Sequence, residues 1–175
     1  MRAFPTVFIL AAAFASAPAM AQDSDDNGGV FIGAVAGLDV ANIDGPFGDS
    51  AEEGFVYGLT AGYDLDMGDA LIGVEVEVAE TTIDSTGVDI YGGVRLGLEM
   101  DDNDIIYLKA GYTNVDIEVF DNLEGFRIGA GVELSFGAVA LRGEYRYSGY
   151  NASDGFGPGF DSNRHQFVLT LGGKF

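Results

Sequence analysis

Over most of its length the chain alternates apolar and polar side chains with a period of two. In one segment Phe55, Tyr57, Leu59, Ala61, Tyr63 and Leu65 oppose Val56, Gly58, Thr60, Gly62, Asp64 and Asp66. In the next, Ile72, Val74, Val76 and Val78 oppose Gly73, Glu75, Glu77 and Ala79. The same dyad recurs in Val88, Ile90, Val94, Leu96 and Leu98 against Asp89, Tyr91, Gly93, Arg95, Gly97 and Glu99. It returns in Phe126, Ile128, Ala130, Val132, Leu134 and Phe136 against Arg127, Gly129, Gly131, Glu133 and Ser135. Strict alternation of this kind predicts β-strands, and no segment shows a helical period. The pattern predicts eight strands, over residues 30–41, 54–66, 70–80, 88–100, 104–115, 125–136, 138–150 and 163–175. The links between them alternate in length. Met67-Gly68-Asp69, Asp101-Asp102-Asn103 and the Gly137 corner are tight, whereas 42–53, 81–87, 116–124 and 151–162 are long.

An alternating sheet can close with its apolar face inward, as a soluble barrel, or outward, against lipid. Three features select the second. The apolar face carries aromatic residues toward the strand ends (Phe55, Tyr57, Tyr63, Tyr112, Phe126, Phe136, Tyr145, Tyr147 and Phe167), with aliphatics between, as expected of girdles at two membrane–water interfaces. Glycines concentrate on the polar face, where a narrow lumen requires small residues. Finally, Arg95, Lys109, Arg127, Arg142, Arg146, Arg164 and Lys174 all fall on that polar face. In the seventh strand, which holds the run GEYRY, Arg142, Glu144 and Arg146 therefore point into the barrel, while Leu141, Tyr145 and Tyr147 meet lipid. The expected interior is a charge network of Glu75, Glu77, Asp89, Arg95, Glu99, Lys109, Arg127, Glu133, Arg142, Glu144, Arg146 and Lys174. The expected fold is all-β, an eight-stranded antiparallel up-and-down transmembrane β-barrel. Short turns at one end and long loops at the other match a barrel with its turns in the periplasm and its loops outside.

Composition sharpens this reading. The chain has 175 residues, 28 of them acidic and 8 basic, for a formal charge of −20. Nucleic acid is therefore not an expected partner, since phosphate recognition needs clustered Lys and Arg. The absence of cysteine excludes disulfides and thiolate metal sites. At the N-terminus Arg2 precedes an apolar stretch over residues 7–15 and an Ala19-Met20-Ala21 motif, the layout of a cleaved secretory signal peptide. The expected organisation is a leader over 1–21, an acidic tail over 22–29 and one barrel domain over 30–175.

Several motifs invite chemistry and fail on inspection. Asp23-Ser24-Asp25-Asp26-Asn27-Gly28 opens like a calcium loop, but the position that needs a bidentate Glu is Ala34. The long links carry Asp44, Asp49, Glu52, Asp84, Asp116, Glu118, Asp121, Glu124, Asp154 and Asp161, candidates for divalent cations at the outer surface, though without a diagnostic ligand spacing. His165 lies near Ser162 and Asp161, but neighbours along one strand do not assemble a triad, and parity puts the imidazole on the lipid side near the outer rim. Asn151-Ala152-Ser153 matches a glycosylation acceptor pattern, which carries no weight in a bacterial-looking chain. Eight strands enclose a space that side chains can fill, so a bulk pore is not expected.

Two stretches, GEYRYSGY in the seventh strand and HQFVLTLGGKF in the last, carry a family likeness. The chain resembles the small eight-stranded outer-membrane barrels of Gram-negative bacteria, of the OmpA-transmembrane-domain, OmpX and opacity type, often labelled "porin family". The resemblance implies that Phe175 is the terminal aromatic read by the barrel-assembly machinery. It also implies a setting of outer-membrane lipid and lipopolysaccharide. The sequence stops at the eighth strand, without the peptidoglycan-binding domain of full-length OmpA, so no cell-wall tether is expected. The expected role is structural, or surface interaction through acidic extracellular loops, with no cofactor and no catalysis. A narrow ion or solute channel, a lipid-modifying hydrolase and an adhesin are the alternatives.

Overall fold

The computed structural model describes residues 28–44, 50–83, 86–100, 104–117, 120–151 and 161–175. The expected leader, nearly all of the expected acidic tail with its calcium-loop motif, and much of the acidic loop set lie outside these residues. Among the described residues eight strands form one closed antiparallel barrel: β1 (Gly29–Asp44), β2 (Ser50–Asp66), β3 (Ala70–Thr81), β4 (Thr86–Glu99), β5 (Ile105–Ile117), β6 (Phe120–Phe136), β7 (Val139–Asn151) and β8 (Asp161–Lys174). Each pairs with its neighbours in sequence, and β1 pairs with β8 to close the ring. At the seam Val30 and Phe175 exchange two backbone hydrogen bonds of 2.8 Å. Among the described residues no helix is long and apolar enough to cross a membrane.

At the end that holds both barrel termini, the strand limits lie within one residue of those read from the alternation. Turn chemistry fixes them. Gly68 and Gly137 take positive φ, 90° and 66°, where a β-carbon would be strained. Asp66 accepts the Gly68 N–H at 2.7 Å, and the Met67 N–H donates to the Ala70 carbonyl at 2.8 Å. At the opposite end the strands run further than the alternation indicates. β1 continues to Asp44, β2 begins at Ser50 and β6 begins at Phe120. The long links over 42–53 and 116–124 are correspondingly shorter. Backbone pairing needs no apolar face, so a ladder can extend past the lipid through residues such as Glu52 and Glu53, which are exposed. Strands of 12–17 residues thus exceed the roughly 9–11 that span hydrocarbon.

The faces divide as the charges require. Leu169, Leu171, Val76, Leu96 and Leu108 are 57–64% exposed on the outside, while Arg95, Arg127 and Glu133 are 0–1% exposed within. Inward glycines make room for both backbone and rings. A β-carbon on Gly58 would collide with the Val78 carbonyl oxygen and stand 2.6 Å from the Ala79 Cα. One on Gly111 would stand 2.8 Å from the Tyr91 ring. The outward-facing Gly92, by contrast, has open space where its β-carbon would be. Gly58→Val should therefore sharply reduce the barrel fraction that migrates as a compact, heat-modifiable species on unboiled SDS gels. Gly92→Ala should leave that fraction at the wild-type level.

Candidate functional site: the ion-paired interior and the outer wall

The interior is built from alternate residues of every strand. At the turn end Glu133, fully buried, accepts from Arg95 Nη1 at 2.8 Å, Arg142 Nε at 2.7 Å and Lys174 Nζ at 2.9 Å. Arg95 reaches on to Asp64 at 2.6 Å, and Arg142 to Glu75 at 3.1 Å. Midway, Lys109 Nζ bridges Glu75 at 2.7 Å and Glu144 at 2.9 Å, and the Tyr107 hydroxyl donates to Glu144 at 2.8 Å. Arg146 pairs with Glu144 and holds Glu77 in a two-pronged contact of 2.6 and 2.8 Å. Toward the loop end Arg127 donates to Asp89 and to Ser148 Oγ, while Thr113 Oγ1 donates to Asp89 at 2.6 Å. Arg164 completes the set, joining Asp89 to Asp39.

With a further contact of 3.6 Å between Arg127 Nη1 and Glu77, these form one unbroken lattice from Lys174 to Asp39. It holds seven carboxylates and seven cations, so the lattice is neutral. Aromatic rings interleave with it: Arg142 lies 3.5 Å over the Phe31 ring, and Lys109 and Arg127 approach Tyr91 at 4.8 and 5.2 Å. Desolvating an ion pair costs nearly what its attraction returns, so the lattice contributes little net stability. Its consequence is steric and electrostatic: the tube is filled, and every charge of the lattice has a counter-charge.

Eleven of the twelve expected network residues are in this lattice. Glu99 is the exception. It faces inward but lies at the turn end, half-exposed, and makes no ion pair among the described residues. Its carboxylate is open to solvent there, so it needs no partner. Three members stand outside the expected set. Arg164 and Asp64 have the inward parity of their strands and could have been included on that ground. Asp39 had no such signal, because β1 is apolar or glycine on both faces over most of its length.

On the outer wall, Phe55, Tyr63, Tyr112, Phe126, Phe136, Tyr145 and Phe167 are exposed, and Tyr57 and Tyr147 half-buried. Tyr57 donates to Glu80 at 3.0 Å near the loop end. Tyr145 and Phe167 lie well within their strands and not at the ends. They belong to a run of rings across β6, β7 and β8: Phe126 on Tyr147 with centroids 6.0 Å apart, Tyr147 on His165 at 5.2 Å, and Tyr145 on Phe167 at 4.9 Å. His165 Nδ1 meets the Tyr145 hydroxyl at 2.7 Å. Ser162 shares the inward parity of Arg164 and Gln166, on the face opposite His165, so the two do not form a dyad. No group of three or more His, Asp or Glu among the described residues is placed to hold a metal.

Comparison with known proteins agrees with this architecture. Residues 7–175 match the family described as "Outer membrane protein beta-barrel domain", and the chain belongs to it. It is therefore an outer-membrane protein of the Gram-negative envelope. Among solved structures, the Neisserial surface protein A superposes with a TM-score of 0.56 at 18% identity, covering 86% of this chain and all of that one. A de novo designed transmembrane β-barrel gives 0.51 at 14% identity, covering 86% of this chain and 99% of its own. The attachment invasion locus protein of Yersinia pestis gives 0.49 at 10% identity, covering 84% and 99%. At such identities the likeness is one of fold. No curated protein matches the chain.

The lattice makes a graded expectation. Glu133→Gln leaves three buried cations short of one counter-charge and should destabilise the barrel by about 3–5 kcal/mol. Glu99→Gln, at the wetted rim, should change stability by less than about 0.5 kcal/mol. Urea unfolding from lipid vesicles, followed by tyrosine fluorescence, measures both.

Proposed function

We propose, from membership of the outer-membrane barrel family, that this chain is a closed, non-conducting wall element whose work is done at its ends. The observation that carries the reading is the neutral seven-by-seven lattice, which fills the tube along its length. Eight strands leave room for little more than side chains. An ion entering would have to displace a paired arginine or glutamate, stranding its partner in a medium that solvates it poorly.

The charge distribution supports a role at the loop end. Every lysine and arginine among the described residues is inside. What remains outside is acidic: Glu52, Glu53, Glu80 and Glu124 are exposed toward the loops. Such a surface suits contact with cationic partners, or with divalent cations that bridge it to lipopolysaccharide. Catalysis has no support in the placement of His165 and Ser162. In the same reading, residues 1–21 direct export and Phe175, at the free end of the closing strand, is the recognition point for the assembly machinery.

The decisive measurement is single-channel recording in planar bilayers. Wild-type barrel should show no steady open level, even at high protein load. The double variant Glu77→Ala/Arg146→Ala, which removes a matched pair and keeps the lumen neutral, should admit small ions. A stable open conductance from the unaltered protein would replace this reading with that of a narrow channel.

A further inference from the structure

The two sides of β2 end at different heights. Toward β1 its ladder continues to Ile43–Ser50, whereas toward β3 the register stops at Val56–Thr81. Side chains build that stop. The Phe55 N–H donates to the Thr82 hydroxyl at 2.9 Å, where a regular ladder would offer a backbone carbonyl. The Thr82 N–H returns to the Phe55 carbonyl at 2.8 Å. The chain then leaves β2. Ile83 is buried, and a β-carbon on the inward-facing Gly54 would stand 2.7 Å from its Cγ1. Backbone groups alternate in direction along a strand. Those of Phe55 face β3, so those of Ala51 and Glu53 face the same way, while those of Ser50, Glu52 and Gly54 face β1. Among the described residues no strand pairs with that side of β2 beyond Phe55, and Ser50, Ala51, Glu52 and Glu53 are all exposed.

We infer that this open edge of β2 takes an extended, basic segment of another protein as an added strand. The backbone of the incoming strand bonds the N–H and C=O groups of Ala51 and Glu53. Its side chains meet two carboxylates on opposite faces: Glu53 shares the outward face of Phe55, and Glu52 the inward face of Val56. Two consecutive cationic residues in an extended strand also point to opposite faces, so a dibasic step matches Glu52 and Glu53 together. A second copy of this chain is a poorer occupant. Pairing β2 with β2 would set carboxylate against carboxylate, and every lysine and arginine among the described residues is inside the barrel. The two glutamates also guard the edge against acidic or purely apolar strands. The inference rests on the loop-end role proposed above and names the class of partner and the way it is held.

The probe is a synthetic peptide, Thr-Gln-Thr-Val-Lys-Arg-Thr-Val-Gln-Thr, titrated into the full barrel in phosphatidylcholine nanodiscs and followed by amide NMR with hydrogen exchange. Bound peptide should slow exchange at Ala51 and Glu53 about tenfold and leave Glu52, already paired with β1, unchanged. Ala51→Pro removes one outward N–H and spares the β1 ladder; it should weaken binding about fivefold, the scale of a lost hydrogen bond, with heat-modifiable migration intact. Glu52→Gln/Glu53→Gln should weaken it by about the same factor, the scale of two cross-strand ion pairs. The same peptide N-methylated at its Lys and Arg keeps the charge and loses the donors, so it should not bind. If Ala51→Pro and the methylated peptide both bind as tightly as the parents, charge alone holds the segment; the added strand is then overturned and the loop-end reading stands. Binding of oligolysine but not of the parent peptide has the same meaning. Binding of neither removes the added strand and the cationic-partner reading together. Slow exchange at Ala51 and Glu53 before any peptide is added, with a dimer in sedimentation, would give the edge to a second copy and sink the inference.

Discussion

A backbone in hydrocarbon has no water to bond with, and every other feature of this barrel follows from that. Each unpaired N–H or C=O would cost several kcal/mol, so a sheet that enters lipid must close on itself. The β1–β8 pairing does so, with a continuous register from Phe31–Lys174 to Asp44–Asp161. Closure then sets the two faces. The outside must be apolar because it touches lipid, and the inside is too narrow to be a water column. A lumen lined with charge and shut off from bulk water is tolerable only when each charge is matched. The seven-by-seven lattice is that match.

The two faces also share out the composition. The chain is strongly acidic, yet its interior lattice is neutral, so the negative excess is pushed to the rims and loops. A sequence-wide charge of −20 thus describes the ends of the molecule far better than its middle. The same segregation leaves the exterior without ammonium or guanidinium groups among the described residues. On the outer wall, hydrogen bonding falls to tyrosine hydroxyls, to the one histidine of the chain and, near the loops, to Asn42, whose amide donates to Asn163.

Much of this was legible in the sequence because a period of two is hard to mistake when one face is glycine and charge. β3, β4 and β6 state their faces residue by residue, and Gly68 and Gly137 mark two of the turns. What the alternation could not give was the loop-side extent of β1, β2 and β6, since beyond the membrane a strand is held by its ladder and not by its pattern. It also could not give partners. Glu99 and Glu133 lie on the same inward faces, yet one sits in water and the other beneath three cations. Height along the tube and neighbours two strands away decide the difference, and neither is local. Asp39 shows the same limit, since β1 carries no contrast between its faces until Arg164 arrives across the seam.

That seam has a bearing on how the molecule is made. Arg164 and Asp39 are 125 positions apart in the chain, and the hydrogen bonds between Val30 and Phe175 join nearly its whole length. A nascent polypeptide lacking its final strand has two raw edges and a carboxylate with no mate. The ring closes only when the last strand is in place, so the final residues of the chain complete what the first ones began.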